Sequence, residues 1–278
     1  MMLRLHIFLK ELLLFIPTLL LSFFTAYAVL NYESAQPVMN GEGLSFSITD
    51  FIVLACIVAF FVIFRKNKKV ITYSFRTLLA LVLFGGANAV LGSFLPAIWS
   101  FPLSILVIFL FYTLKSVLSH NIAIVIALAG ISAMIGTMIS PMQAAAVLII
   151  LSIYDIIAVY KTGHMVKMAR AMIESGAVFG FVIPFKASDF MANKNQVQAG
   201  IGDNFMVLGS GDIALPCVFA CTFVRYSLAD AFIVGLFSVV GLFLTHYIFI
   251  NQKERRPMAA LPPIATMSIL GYLFTILF

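Results

Sequence analysis

The sequence predicts an all-α polytopic membrane protein of nine transmembrane helices, with the N-terminus in the cytoplasm and the C-terminus outside. Three observations carry that expectation. In composition, 63% of the residues are hydrophobic, 28 are Phe and only 10% are charged, giving a mean hydropathy of +1.11. A soluble domain carries about 25% charged residues, so this chain lacks the polar surface to coat a water-exposed body. Nine apolar runs of bilayer-spanning length follow one another along the chain. Between them, the basic residues fall on one side of the membrane.

The runs lie at 12–31, 48–64, 77–95, 98–114, 122–139, 142–160, 204–223, 228–250 and 259–278, each near the roughly 17–25 residues a spanning helix needs. The first is preceded by Arg4 and Lys10 and contains Ala26-Tyr27-Ala28, which mimics a leader cleavage site. It is nonetheless longer than the roughly 7–15 apolar residues of such a leader, so a retained helix is expected. Pro96 with Trp99 divides the third run from the fourth, and Ser140-Pro141 divides the fifth from the sixth. The apolar stretch Gly176–Phe185 is too short to span and reads as re-entrant, interfacial or a lid. The chain therefore divides into helices one to six (1–160), a cytoplasmic connector (161–203) that holds this stretch, and helices seven to nine (204–278).

The net charge of +6 does not point to nucleic acid, because the basic residues sit in short clusters between apolar runs. With the N-terminus inside, the cytoplasmic segments hold 16 of the 17 Lys and Arg residues, and only Arg225 falls outside. The external 32–47 segment holds Glu33 and Glu42 and no base. Miscounting one helix would scramble this alternation. The three cysteines give neither a disulfide framework nor a zinc spacing; Cys217 and Cys221 share a helix face as small apolar filler.

Two acids stand inside the apolar runs. Asp155 lies in the sixth, "IYDIIAVYKTGHM", about six residues or roughly 9 Å from its cytoplasmic end near Lys161. Asp212 lies in the seventh, "LGSGDIALP", about eight residues or roughly 12 Å from its cytoplasmic end near Asn204. Two antiparallel neighbours thus place their mid-helix carboxylates at similar depth, where an isolated charge costs several kcal/mol. Glu11, Asp50, Asp203 and Asp230 sit near span ends, where a carboxylate reaches headgroups or water. Paired carboxylates are the machinery of aspartyl proteolysis. Held a few ångströms apart, both cannot ionise; one takes a proton from water while the other donates to the developing oxyanion.

The surroundings of Asp212 suit such a site. Gly209 and Gly211 strip side chains from the expected helix just before it, leaving room for a neighbouring backbone, water or substrate. Pro216 cannot donate to the carbonyl of residue 212, so a kink is expected beyond the aspartate. Tyr154, about 100° around the helix from Asp155, is either a group that caps the site or an ordinary packed aromatic. In the ninth run, "MAALPPIATM", Pro262 and Pro263 either leave backbone groups open to a substrate or simply begin the helix. Asn88 with Gly85, Gly86 and Gly92 suits close helix packing, and neither His164 nor His246 has a ligand set around it.

Tyr154-Asp155, Gly209-Ser210-Gly211-Asp212 and Ala260-Leu261-Pro262, in that order, resemble the signatures of the presenilin and signal peptide peptidase family of intramembrane aspartyl proteases. Ala259 stands where the family's Pro-Ala-Leu motif begins, and is a departure from it. The resemblance covers essentially the whole chain and implies a presenilin-like fold. It also implies cleavage within transmembrane segments of single-span membrane proteins or signal-peptide-like substrates. Asp155 and Asp212 would then be the catalytic pair, with Tyr154, Gly209, Gly211, Ala260, Leu261 and Pro262 shaping the site. No cofactor and no metal are expected, only water. The compact form resembles archaeal members, which implies the cell membrane of a prokaryote. Two other readings stay open: a proton- or sodium-coupled secondary transporter using the same aspartates, and a prepilin-type Gly-x-Gly-Asp peptidase.

Overall fold

A computed structural model describes residues 5–35, 68–163, 172, 176, 178–192, 204–252 and 257–277. Eight α-helices run through these segments: α1 (Leu5–Ala35), α2 (Lys68–Phe94), α3 (Ala97–Thr113), α4 (Val117–Met138), α5 (Pro141–Ile156), α6 (Ser210–Cys221), α7 (Leu228–Ile250) and α8 (Leu261–Leu277). Two strands, β1 (Gly180–Pro184) and β2 (Phe205–Gly209), pair between α5 and α6. The expected span at 48–64 lies outside the described residues.

The punctuation read from the sequence ends the helices where expected. Pro96 is the N-cap of α3. Ser140 and Gln143 form a reciprocal capping box at the start of α5, with Pro141 in its first turn, where a missing N–H costs nothing. Five described helices are long and apolar enough to cross a membrane: those over Leu5–Asn31, Thr72–Phe94, Val117–Met138, Pro141–Lys161 and Leu228–Ile250. Helices α3, α6 and α8 are apolar but shorter. Large apolar side chains point outward, among them Ile98 at 76% exposure and Leu236 at 63%. A surface of this kind is stable only against lipid, and the protein is a multi-pass integral membrane protein.

Helix α4 is the centre of the bundle, packed by α1, α2, α3, α6 and β1. Its buried face is made of small residues, including Ala123, Ala127, Gly130, Ala133 and Gly136, which lets neighbouring backbones come close where lipid supplies no hydrophobic drive. A Cβ on Gly86 would overlap the backbone of Ala127, and one on Gly130 the backbone of Gly86. Of the glycines that suggested close packing in the third span, Gly86 makes this crossing and Gly85 meets nothing within 4 Å. Helices α7 and α8 pair in the same manner, with a shared hydrogen bond between Ser238 Oγ and Ser268 Oγ at 2.7 Å.

The seventh run corrects the all-helical expectation. Residues 204–223 are not one helix: Phe205–Gly209 is extended, and the helix begins only at Ser210. The apolar stretch at 176–185 supplies its partner, β1, in an antiparallel register from Gly180 opposite Gly209 to Pro184 opposite Phe205. Both strands are short runs of β-branched, aromatic and large apolar residues, which periodicity alone cannot tell from helix. Every residue of β1 is buried, so it is part of the core rather than a surface flap.

Candidate functional site

Asp155 lies one residue from the α-helical end of α5, and the chain continues as a π-helical turn over Ile157–Lys161. A π-turn widens the helix and is characteristic of functional sites. Asp155 is 5% exposed. Its Oδ2 accepts a hydrogen bond from the Leu261 N–H at 3.3 Å, across a sequence separation of 106 residues.

That contact explains the two prolines. The first turn of a helix carries N–H groups with no partner inside the helix. Pro262 and Pro263 have none to offer, and the Leu261 N–H at the head of α8 goes to Asp155. The prolines therefore begin the helix in the ordinary way, and the donor left at its start is the one aimed at the carboxylate. The Thr245 Oγ1 of α7 donates to the Ala260 carbonyl at 3.3 Å, tying down the segment just before Leu261.

Asp212 is 7% exposed. Because β2 ends at Gly209, Asp212 occupies the first turn of α6 rather than the middle of a helix. Gly209 is the N-cap, and its backbone N–H is hydrogen-bonded to the Asp212 carboxylate. This is the half of a capping box in which the third residue of the helix reaches back. It also fixes the role of Gly209: a Cβ there would stand 2.8 Å from Asp212 Oδ2, so the glycine makes room for the carboxylate itself. A Cβ on Gly211 would meet nothing within 4 Å.

The two carboxyls stand within electrostatic reach of each other, at a place where α5, α6 and α8 are mutually packed. Asp155, Asp212, Gly209, Ala260, Leu261 and Pro262 therefore gather at one site, while Gly211 is exposed beside it. Tyr154 is 55% exposed, and its side chain makes no hydrogen bond to the described residues. Among the described residues, no group of three or more His, Cys, Asp or Glu is arranged to hold a metal.

Several polar side chains that the sequence did not single out prove to be built into the core. Helix α1 begins at Leu5, so Glu11 lies inside the helix rather than at a span end, and it pairs with His246 Nδ1 at 2.9 Å. Glu11 is 3% exposed and His246 2%. Lys10, His120 and Asn121 all reach the backbone of β1 or of the residue that follows it. The available signal was a polar residue next to an apolar run; the partner was not visible, because it is a strand that forms only in three dimensions.

This fold is shared with solved structures. One is described as a presenilin family intramembrane aspartate protease in space group C222. It matches with a TM-score of 0.57 and 23% identity over 95% of this chain and 98% of its own. A second, the same description in space group P2, matches with a TM-score of 0.55 and 20% identity over 94% and 96%. No curated protein matches the chain significantly. The profile of the family described as "Signal-peptide peptidase, presenilin aspartyl protease" matches residues 38–278, a range that holds both aspartates and the Ala260–Pro262 segment, and the chain belongs to that family.

Proposed function

We propose that this protein is an intramembrane aspartyl endopeptidase that hydrolyses peptide bonds within transmembrane segments, using Asp155, Asp212 and water. The observation that carries the reading is the meeting of two buried carboxyls from α5 and α6, one of them held by the backbone N–H that opens α8. In the reaction, the ionised aspartate takes a proton from water as the water oxygen bonds to the scissile carbon. The protonated aspartate donates to the carbonyl oxygen, and a proton then passes to the amide nitrogen as the C–N bond breaks. The Leu261 N–H and the Gly209 N–H orient the two carboxyls for this exchange.

A helical substrate hides its carbonyls in its own hydrogen bonds and has to open before water attacks. The β2 strand supports the idea that the opened segment is received as a strand. Phe185 N–H donates to Asn204 O, while Gly180, Val182 and Pro184 are engaged from the side of β1 remote from β2. By alternation, Phe205 and Val207 turn their backbone groups to the opposite edge of β2, which carries no third strand among the described residues. That edge leads directly to Asp212 and suits a peptide added as a strand. The substrates are single-span membrane proteins or signal-peptide-like segments. The nine-span topology, N-in and C-out, in a prokaryotic cell membrane places the cut toward the cytoplasmic side.

The test is cleavage of a single-span peptide by purified protein in detergent, with no ion gradient, and with product masses mapped. Cleavage that is lost in both Asp155→Ala and Asp212→Ala supports the reading. Substantial cleavage by either variant, or cleavage only across a gradient, would defeat it. Inserting Gly or Pro one turn from the mapped cut is expected to speed cleavage relative to Leu and Ala in the same place. Equal rates, or cuts near the outer face, count against entry as a strand.

A further inference from the structure

Both edges of β1 are occupied. One edge carries β2. Along the other, side chains from two helices meet the strand at alternate residues. His120 Nε2 lies 2.9 Å from the Gly180 carbonyl. Lys10 Nζ donates to the Pro184 carbonyl at 2.6 Å and to the Phe185 carbonyl at 2.9 Å. Between them, Asn121 engages both backbone groups of Val182: Nδ2 donates to the carbonyl at 2.7 Å, and Oδ1 accepts the N–H at 2.9 Å. The carboxamide presents the donor and acceptor that a neighbouring strand would present.

Asn121 is 0% exposed, with the buried Val117, Ile124 and Leu128 beside it on the same helix. A buried amide is unfavourable there unless its groups are paired, and both ends of this one are paired with a single strand residue. With that edge of β1 closed, a further strand can join only at β2. The line that β2 takes is set by β1, and the line of β1 is set by its bonds to α4 and α1. Since β2 passes directly into Ser210 at the head of α6, the direction of this hairpin is also the direction from which a chain reaches Asp212.

We propose that Asn121 is a positioning residue for proteolysis: its two-point bond to Val182 clamps the β1–β2 hairpin to α4 and holds the open edge of β2 in line with Asp212. His120 and Lys10 secure the two ends of the same strand. The inference rests on the protease reading, because the line of that edge matters only when an extended substrate lies along it.

The test uses the full-length protein in detergent with a single-span substrate, comparing wild type with Asn121→Ala and Asn121→Leu, and with Asp212→Ala as a control. A displacement of about 1 Å at the reacting groups costs on the order of 100-fold in rate. The Asn121 variants are therefore expected to lose about 10- to 100-fold in kcat with KM little changed. Their products are expected to spread over additional cut positions. A purely structural loss of stability lowers the amount of active enzyme and leaves the cut pattern alone. A folded Asn121 variant that keeps the wild-type kcat and product masses overturns the proposal. Where neither variant folds, hydrogen exchange on the wild-type protein decides. The Val182 amide faces away from β2 and is expected to exchange as slowly as those of Phe181 and Ile183, and rapid exchange overturns the clamp. Cleavage that persists in Asp212→Ala strikes at the protease reading instead, and the exchange measurement still tests the clamp.

Discussion

Asp212 and Asp155 stand at opposite ends of their helices and are held in opposite ways. Asp212 is in the first turn of α6 and is anchored by Gly209, three residues earlier. Asp155 is at the α-helical end of α5 and is anchored by Leu261, 106 residues later. The first arrangement is a local capping motif that needs only a glycine and a helix start. The second exists only when α8 is docked, so the geometry of Asp155 depends on the packing of the whole bundle. One half of the pair is thus built by its own motif, and the other is completed from the far end of the chain.

The largest effects should come from the carboxyls themselves. Asp155→Ala and Asp212→Ala are each expected to reduce cleavage to background, because neither acid works without the other. From the sequence alone, removing either buried acid is expected to leave the fold equally stable or more so. The structure revises this for both: Asp155→Ala strands the Leu261 N–H and Asp212→Ala the Gly209 N–H, each at a cost of roughly 1–3 kcal/mol, whereas Asp155→Asn still accepts from Leu261. Thermal melting in detergent of Asp155→Ala beside Asp155→Asn measures the long-range anchor. Equal melting temperatures for that pair would mean that it contributes nothing.

The two glycines before Asp212 separate next. Gly209→Ala places a Cβ 2.8 Å from Asp212 Oδ2 and pushes the carboxyl from its cap. A loss of about 100-fold in kcat is expected, as for a displacement of about 1 Å. Gly211→Ala meets nothing within 4 Å and should fold and melt as wild type. Steady-state kinetics on both variants would check this. Equal losses would show that the motif serves the bound substrate rather than Asp212.

The smallest effect is expected at the head of α8. Pro262→Ala restores an N–H in the first turn without disturbing the donor of Leu261, and should change stability by less than about 1 kcal/mol, with cleavage within a fewfold of wild type. A loss as large as that of Asp155→Ala would assign the proline a direct place at the substrate.

The site was legible in part. Asp155 and Asp212 stood out because carboxylates in apolar runs are rare and expensive, and that rule needs no structure. Pro262 and Pro263 stood out as an interrupted helix start, but not as the reason Leu261 supplies the donor. Gly209 drew notice as a packing residue, whereas its contact is with the side chain three residues on. Glu11 and His246 are each ordinary on their own helices, and only their meeting across α1 and α7 makes them a buried pair. Asn121 shows in the sequence only as a polar residue at the start of an apolar run, since its partner is an edge of β1.

What the sequence by itself determined is the membrane class, the helix breaks at Pro96 and Ser140-Pro141, and the identity of the two acids. Each follows from residue chemistry acting over a turn or two: hydropathy, capping, or the missing N–H of proline. Only the tertiary structure decided that Phe205–Gly209 is a strand, because an apolar five-residue run takes the partner it is offered, and that partner lies at Gly180–Pro184. The same structure chose Leu261 as the donor to Asp155 and Asn121 as the clamp on Val182. Those contacts join residues 106 and 61 positions apart, and a hydrogen bond over such a separation is set by where the helices pack, which no local pattern records.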